Sequence, residues 1–208
     1  YWVTQRVTRG NSSGPIRAAT VIIECSPLPF VERAAHYRDG LVLVTPSVRR
    51  TPPQSMSPRA KMHNYINIIQ ANMEVKSQNQ EAVAMLLDER GNLAEGMGAN
   101  LFVVRDGVLF TPSEQHILAG ISRMVTIELA KDIGIEVREM DLDLYDAYTS
   151  DEAFVTSTSY CICPVSSING SPFGEETVPG PITDRLQKAY SGLVGIDVVG
   201  QYLSRLSD

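Results

Sequence analysis

The 208-residue chain is short of several things at once. No apolar run approaches the roughly 20 residues that a bilayer-spanning helix needs. Positive charge is in deficit: 18 Lys and Arg stand against 24 Asp and Glu, a net charge of -6. That balance argues against nucleic acid as the main partner. The sequence contains no GxGxxG, no Walker loop, no HExxH and no GxSxG, so the familiar signatures of dinucleotide, nucleoside triphosphate, zinc-protease and serine-hydrolase chemistry are missing. Cysteine is scarce. Cys25, Cys161 and Cys163 form an odd set without a CxxC pair, which fits a reducing cytoplasm better than a disulfide framework. The three histidines, His36, His63 and His116, are far apart and show no metal-ligand spacing, so no metal site is expected. No signal-peptide pattern opens the chain. It starts at Tyr1, in a stretch, YWVTQRVTRG, that already reads as a strand in mid-sheet. The expectation is a fragment whose upstream part would supply more of any site.

What is present reads as runs of strands with a few helices. Residues 1–9 are β-rich, NSSGP is a turn, and RAATVIIECSPLP and LVLVTPSVRRTPP are strands stopped by prolines. Residues 65–77 place Tyr65, Ile68, Ile69, Met73 and Val75 at helical spacing. EAVAMLLD and NLFVVRDGVLFTP predict strands, with Asp106-Gly107 as a hairpin turn. ISRMVTIELAKDIG predicts a helix with Ser122 as cap near its start and Gly134 just past its end. IEVREMDL predicts a strand and LDLYDAYTS a short helix. DEAFVTSTS predicts a strand that runs into a polar loop. Residues 181–206 predict a C-terminal helix with a break at Gly192 or Gly195. Strands in runs give an α+β class with a mixed sheet.

Four features could carry chemistry. Lys61 sits in SPRAKMHNY, just before the 65–77 helix; by itself it reads as an ordinary surface lysine. Glu95 opens EGMGAN, where two glycines let the backbone approach a ligand; by itself this is a β-turn with an exposed acid. Gly120, Ile121 and Ser122 bring backbone N–H groups and a hydroxyl to a helix N-terminus, a ready anion site or simply an N-cap. Thr156 to Ser159, TSTS, ends a strand with clustered hydroxyls, either an anion grip or a solvated loop. Together they match the needs of pyridoxal 5'-phosphate (PLP). A lysine can hold the carbonyl, a carboxylate can pair with the pyridine nitrogen, and two amide-and-hydroxyl sites can grip the phosphate ester.

The order Lys, EGxGxNLF, DG hairpin, ILxGIxR and DEAFVTST resembles the class IV aminotransferases, PLP enzymes of fold type IV with a D-amino-acid aminotransferase-like α+β fold. The resemblance covers nearly the whole chain. It implies a catalytic region over 1–208, with the N-terminal small domain largely missing, residues 1–50 as joining strands and 51–208 as the PLP-binding large domain. It also implies a homodimer acting on a small-molecule amino donor and a 2-oxo acid. Lys61 falls on the Schiff-base lysine, which also moves the substrate proton. Glu95 falls on the acid that pairs with the pyridine nitrogen, and Leu118 on the leucine against the cofactor ring. Ile121 and Ser122 fall on the phosphate-binding pair, and Thr158 on the second phosphate hydroxyl. Ser159 follows it, at a position close to the substrate carboxylate in relatives. Tyr65 stands for the tyrosine that bonds the cofactor's phenolic oxygen, although four residues separate it from Lys61 where branched-chain enzymes have five. Cys161 and Cys163, in CICPV where the family has ExTPV, read as small core residues.

Substrate comparisons point in several directions. Gly14 and Ile16 stand where D-amino-acid enzymes place an arginine and a histidine, which disfavours that activity. Thr4 stands where branched-chain enzymes have an arginine for the glutamate side chain. Arg6, on the same strand face, is a candidate substitute. VRRTPP looks like the (R)-amine transaminases, and EGMGANLFVV like the branched-chain group. The resemblance thus implies a branched-chain-type transaminase, with an (R)-selective amine transaminase or, less favoured, a D-amino-acid transaminase as alternative. An aminodeoxychorismate lyase, an inactive truncated paralogue and a non-catalytic binding module are the readings of another class.

Overall fold

The structure, a computed structural model, describes residues 1–10, 19–174 and 177–206. The NSSGP turn and positions Gly14 and Ile16 lie outside the described residues. The chain divides into two compact units, Tyr1–Phe30 and Val31–Asp208. Among the described residues no helix is long and apolar enough to cross a membrane.

The smaller unit is an antiparallel hairpin of β1 (Trp2–Thr8) and β2 (Thr20–Ser26), in register from Trp2 opposite Ser26 to Thr8 opposite Thr20. Arg6 pairs with Glu24 across it, with side chains 45% and 48% exposed. Water screens such a pair, and its contribution is about 0–1 kcal/mol.

A helix absent from the sequence reading, α1 (Phe30–Asp39), follows, and all of it after Phe30 belongs to the larger unit. Its acid, Glu32, lies in the first turn and His36 and Arg38 in the last, as the helix dipole favours. Ala34 and Tyr37, three apart, are its buried face. It ends at Gly40, whose φ is 77°. A Cβ there would lie 2.7 Å from the Ser166 amide nitrogen, so both the left-handed backbone and the close approach require glycine.

β3 (Leu41–Val44) leads through a long loop to α2 (Ile66–Gln78), one residue off the predicted span. Ile68, Ala71 and Val75 are its buried stripe, packed with Ala82, Ala84 and Leu86 beside and along β4 (Val83–Leu87). Ile69 and Met73, expected on that stripe, are exposed. They follow stripe positions by one or two residues, a rotation of at least about 100° around the helix. β5 (Leu93–Gly96), β6 (Ala99–Arg105) and β7 (Val108–Pro112) follow. Asp106 and Gly107 have φ of 52° and 76°, the two positive values that a tight primed hairpin turn demands.

α3 (Ile121–Asp132) has Gly120 as its N-cap, with no side-chain cap bond. Ser122 is therefore inside the first turn rather than at the cap, because the chain is still extended at Gly120 (ψ 140°) and helical from Ile121. β8 (Val137–Met140), α4 (Leu144–Tyr148) and β9 (Glu152–Ser157) come next. Asp143 and Asp146 cap α4 reciprocally. The stretch expected as a polar loop after β9 turns back at once as β10 (Cys161–Ile168). Ser157 faces Cys161 and the loop between them has three residues, with Cys161 at φ 49°. That is a common short hairpin form, hidden in the sequence by its Ser and Thr content. β11 (Ser171–Pro172), α5 (Pro181–Val194) and α6 (Val198–Leu203) complete the unit. The break between the last two falls at Gly195.

The pairing makes a mixed sheet that closes. The strands run β10–β3–β4–β5–β6, and β9 pairs both β6 and β10, so six strands form a ring. β7 and β8 extend from β6, and β11 from β10. Phe102 and Phe154 are paired across β6 and β9 and stack with centroids 4.9 Å apart. With Val104, Leu109, Ile127, Ile162 and Leu186 they form the main core, under α3 and α5. Each such side chain contributes roughly 1.5–3 kcal/mol by leaving water. β6 is buried over six successive residues, the pattern of a strand covered on both faces.

Candidate active site

Three polar side chains lie side by side on adjacent strands. Glu95 on β5 is paired with Asn100 on β6, and Asn100 with Thr156 on β9. Paired residues project to the same face of a sheet. All three are buried, at 5%, 5% and 1% exposure, and all three line one cavity of about 330 Å³. The short strands and the Gly96–Gly98 turn bring the first two together, since residues 97 and 98 are all that separate the paired Gly96 and Ala99.

Leu118 is held to this row through both of its backbone polar groups. Its N–H donates to Glu95 Oε2 at 3.0 Å, and its carbonyl accepts from Asn100 Nδ2 at 2.9 Å. This fixes the approach to α3, so that Leu118, Gly120, Ile121 and Ser122 all reach the cavity. The first amides of a helix have no intrahelical acceptor and carry the positive end of its dipole. Gly120 is required by space: a Cβ there would lie 2.2 Å from Asn100 Oδ1. Gly120→Ala should therefore displace Asn100 and free the Leu118 carbonyl, at a cost of about 1–3 kcal/mol. Urea unfolding of the variant beside the parent protein checks this, and an unchanged midpoint would refute the packing account.

The loop between β3 and α2 carries Pro58, Lys61 and Tyr65 to the same cavity. Lys61 is exposed and five residues ahead of α2, so it rides on the loop rather than on the helix start. Tyr65 is the N-cap residue of α2 and half-buried. The base of the loop is closed by Asn67, which accepts from the Thr51 N–H (3.2 Å) and donates to the Arg49 carbonyl (2.6 Å). Between those two, Arg50 turns inward and donates from Nε to Glu95 Oε1 at 2.7 Å.

Thr158 lines the cavity from the β9–β10 turn. Two tyrosines hold that turn from behind. The Tyr202 hydroxyl donates to the Ser159 carbonyl and the Tyr37 hydroxyl to the Tyr160 carbonyl, and their rings stack 4.3 Å apart. Burial pushes the Tyr37 hydroxyl pKa well up, and that of Tyr160 up to about 12. The Tyr37 donor therefore keeps its proton at any physiological pH.

Seven of the residues singled out from sequence thus meet at one cavity: Lys61, Tyr65, Glu95, Leu118, Ile121, Ser122 and Thr158. Ser159 is buried and outside the cavity lining. Arg6 is in the smaller unit, paired with Glu24. Cys163 is buried and Cys161 half-buried. Sequence reasoning passed over Arg50, Asn67, Tyr37 and Tyr202. Only Arg50 left a signal, inside VRRTPP. The structure also brings His116 against Asp88 and Glu89, with candidate ligand atoms within 4.8 Å of one another. Arg90 supplies the cation there, 3.4 Å from His116 Nε2, and both Asp88 oxygens accept hydrogen bonds from Arg90 and Asn92. The cluster is an ion-pair network. Arg123, of the ISR sequence, is also structural, held by Glu114, Glu139 and the Pro112 carbonyl.

Residues 3–168 match the sequence profile of the family described as amino-transferase class IV. The chain belongs to this family. Among curated class IV relatives, the branched-chain-amino-acid aminotransferase of Salmonella typhimurium is 38% identical over 190 residues, covering 90% of this chain and 60% of that protein. The Escherichia coli K12 branched-chain-amino-acid aminotransferase is 39% identical over 176 residues, covering 83% and 56%. Among solved structures, the branched-chain aminotransferase of the thermophilic archaeon Thermoproteus uzoniensis with norvaline superposes with a TM-score of 0.80 at 30% identity, covering 99% of this chain and 66% of that one. A branched-chain amino acid aminotransferase solved with pyridoxamine 5'-phosphate also superposes with a TM-score of 0.80, at 33% identity, covering 93% and 65%. The chain spans about three fifths of the length of these class IV relatives. Its mixed sheet with flanking helices is the class IV α+β fold.

Proposed function

We infer that this chain carries the PLP-binding part of an aminotransferase that moves an amino group between a branched-chain-type amino acid and a 2-oxo acid. One observation carries the reading: a lysine, a buried carboxylate and a helix N-terminus with neighbouring hydroxyls line the same cavity. The residues fit the cofactor. Thr156 Oγ1 is buried in the cavity wall without a hydrogen-bond partner among the described residues, which is costly unless a ligand supplies one. The volume suits a small aromatic phosphate.

Lys61 would hold the aldehyde carbon, Glu95 the ring nitrogen and Leu118 one ring face. The amides of Ile121 and Ser122, the Ser122 hydroxyl and Thr158 would hold the phosphate, and Tyr65 the phenolic oxygen. Bound PLP supplies an electron sink for the substrate Cα. Lys61 Nζ would then accept the proton from that Cα and hand it back, a task within reach of a single flexible amine. Tyr37 and Tyr202 keep the Thr158 turn from moving as charge shifts. A homodimer is the working assembly implied by the family resemblance.

The test uses the full-length protein with PLP, 2-oxoglutarate and a panel of donors. Turnover of leucine, isoleucine and valine is expected. Turnover of (R)-amines alone would move the reading to the amine transaminases. Pyruvate release from aminodeoxychorismate with no transamination would overturn it in favour of the lyase.

A further inference from the structure

Arg50 is a buried cation that the chemistry above does not use. Its side chain is 9% exposed and that of Glu95 is 7% exposed. A buried ion pair gains little net stability over an apolar pair of similar shape, because both charges must leave water. Stability alone therefore gives a poor account of it.

The construction around Arg50 is specific. Its own N–H donates to the Leu87 carbonyl at 2.8 Å. The residues on either side, Arg49 and Thr51, are both held by the Asn67 amide. Three backbone anchors thus aim one guanidinium edge at one carboxylate oxygen. The other Glu95 oxygen takes the Leu118 N–H. With both oxygens engaged, the carboxylate is held in one orientation in the wall of the cavity that it lines. Asn67 also closes the base of the loop that carries Lys61. The acid and the lysine are therefore referred to a single anchor.

We propose that Arg50 is a positioning residue. Through its Nε contact it holds Glu95 as an oriented anion towards the ring nitrogen of the cofactor, and Asn67 ties that orientation to the Lys61 loop. The proposal rests on the reading that the cavity holds PLP. It extends that reading from the groups that would touch the cofactor to one that acts through another.

The experiment measures equilibrium binding of PLP and of pyridoxamine 5'-phosphate to the full-length protein, by the change in protein fluorescence. Four forms are compared: parent, Arg50→Gln, Glu95→Gln and the double variant. Pyridoxamine 5'-phosphate has no aldehyde, so its binding reports the ring-nitrogen end apart from Lys61. Arg50→Gln should weaken it by about tenfold or more, the range for losing one charge-assisted bond. The double variant should bind no worse than Glu95→Gln, because Arg50 acts only through Glu95. Arg50→Lys, which keeps the charge without the fixed Nε edge, should recover part of the loss. Additive losses, or an unchanged affinity in Arg50→Gln and Arg50→Lys, would overturn the proposal. If Arg50→Gln fails to fold, Arg50→Lys and Asn67→Ala carry the same comparison against Glu95→Gln. A parent protein that binds neither ligand would instead sink the cofactor reading itself.

Discussion

Lys61→Ala should abolish transamination while leaving the fold intact. Lys61 is exposed on the loop between β3 and α2, and among the described residues no backbone hydrogen bond of the surrounding fold depends on its amine. Substitutions at such positions change stability by about 0.5 kcal/mol or less. The chemistry is another matter. On the proposed reading, removing the amine would remove both the covalent hold on the cofactor and the base at the substrate Cα. General acid–base action alone is worth roughly 10²–10⁴-fold in rate, and the nucleophile's share comes on top. A fall in kcat of at least about 10⁴-fold is expected. Two readings should move together: turnover, and the absorbance band of covalently held PLP. An unchanged melting temperature would show that neither loss comes from unfolding. If the variant kept the band, or kept turnover within about tenfold of the parent, Lys61 would not be the attachment point.

Lys61 shows what a sequence can and cannot carry. Alone, SPRAKMHNY holds a solvated lysine, and the structure agrees that it is exposed. The role proposed for it rests on Glu95, Ile121, Ser122 and Thr158 appearing later in the order that the resemblance requires. Those groups were legible because each sits at a local signal: a Gly-rich turn, a helix start, a hydroxyl cluster. Arg50 was not, because its importance lies in a contact 45 positions away. Tyr37 and Tyr202 were out of reach for the same reason, since they grip the β9–β10 turn from 123 and 43 positions away. No periodicity encodes such distances.

The fold divides in the same way. The Asp106-Gly107 turn and the Gly195 break were local facts of backbone geometry, and both stand in the structure. α1 had its signals too, with prolines before it, Glu32 early, Arg38 late and Gly40 after. It was passed over because only two of its residues, Ala34 and Tyr37, are buried, which leaves a weak stripe. β10 was lost because hydroxyls in a three-residue hairpin loop look like a solvated loop. The closure of the ring through β9 depends on pairings to both β6 and β10, and pairing partners are a tertiary fact.

Glu95→Gln should damage both the stability of the fold and the reaction, for separable reasons. In the structure both carboxylate oxygens accept hydrogen bonds, one from Arg50 Nε and one from the Leu118 N–H. A glutamine offers one oxygen and one NH₂. Whichever way its amide turns, a donor is left facing a donor, and Arg50 loses its counter-charge in a buried place. Breaking one partner of a buried pair costs about 3–5 kcal/mol. Turning the glutamine oxygen to Arg50 would retain part of that, so a loss near about 3 kcal/mol is expected. In the reaction, an amide cannot balance a positive ring nitrogen as a carboxylate does. Losing one preorganised electrostatic contact of this kind lowers kcat by roughly 10²–10³-fold. The two effects can be told apart. Adding Arg50→Gln to Glu95→Gln removes the stranded cation, so the double variant should regain stability in urea unfolding while kcat stays low. A double variant no more stable than Glu95→Gln would mean that the Arg50–Glu95 pair is not the source of the stability loss. A Glu95→Gln protein with parental kcat would remove Glu95 from the reaction altogether, and with it the reason for building so constrained a carboxylate into the cavity wall.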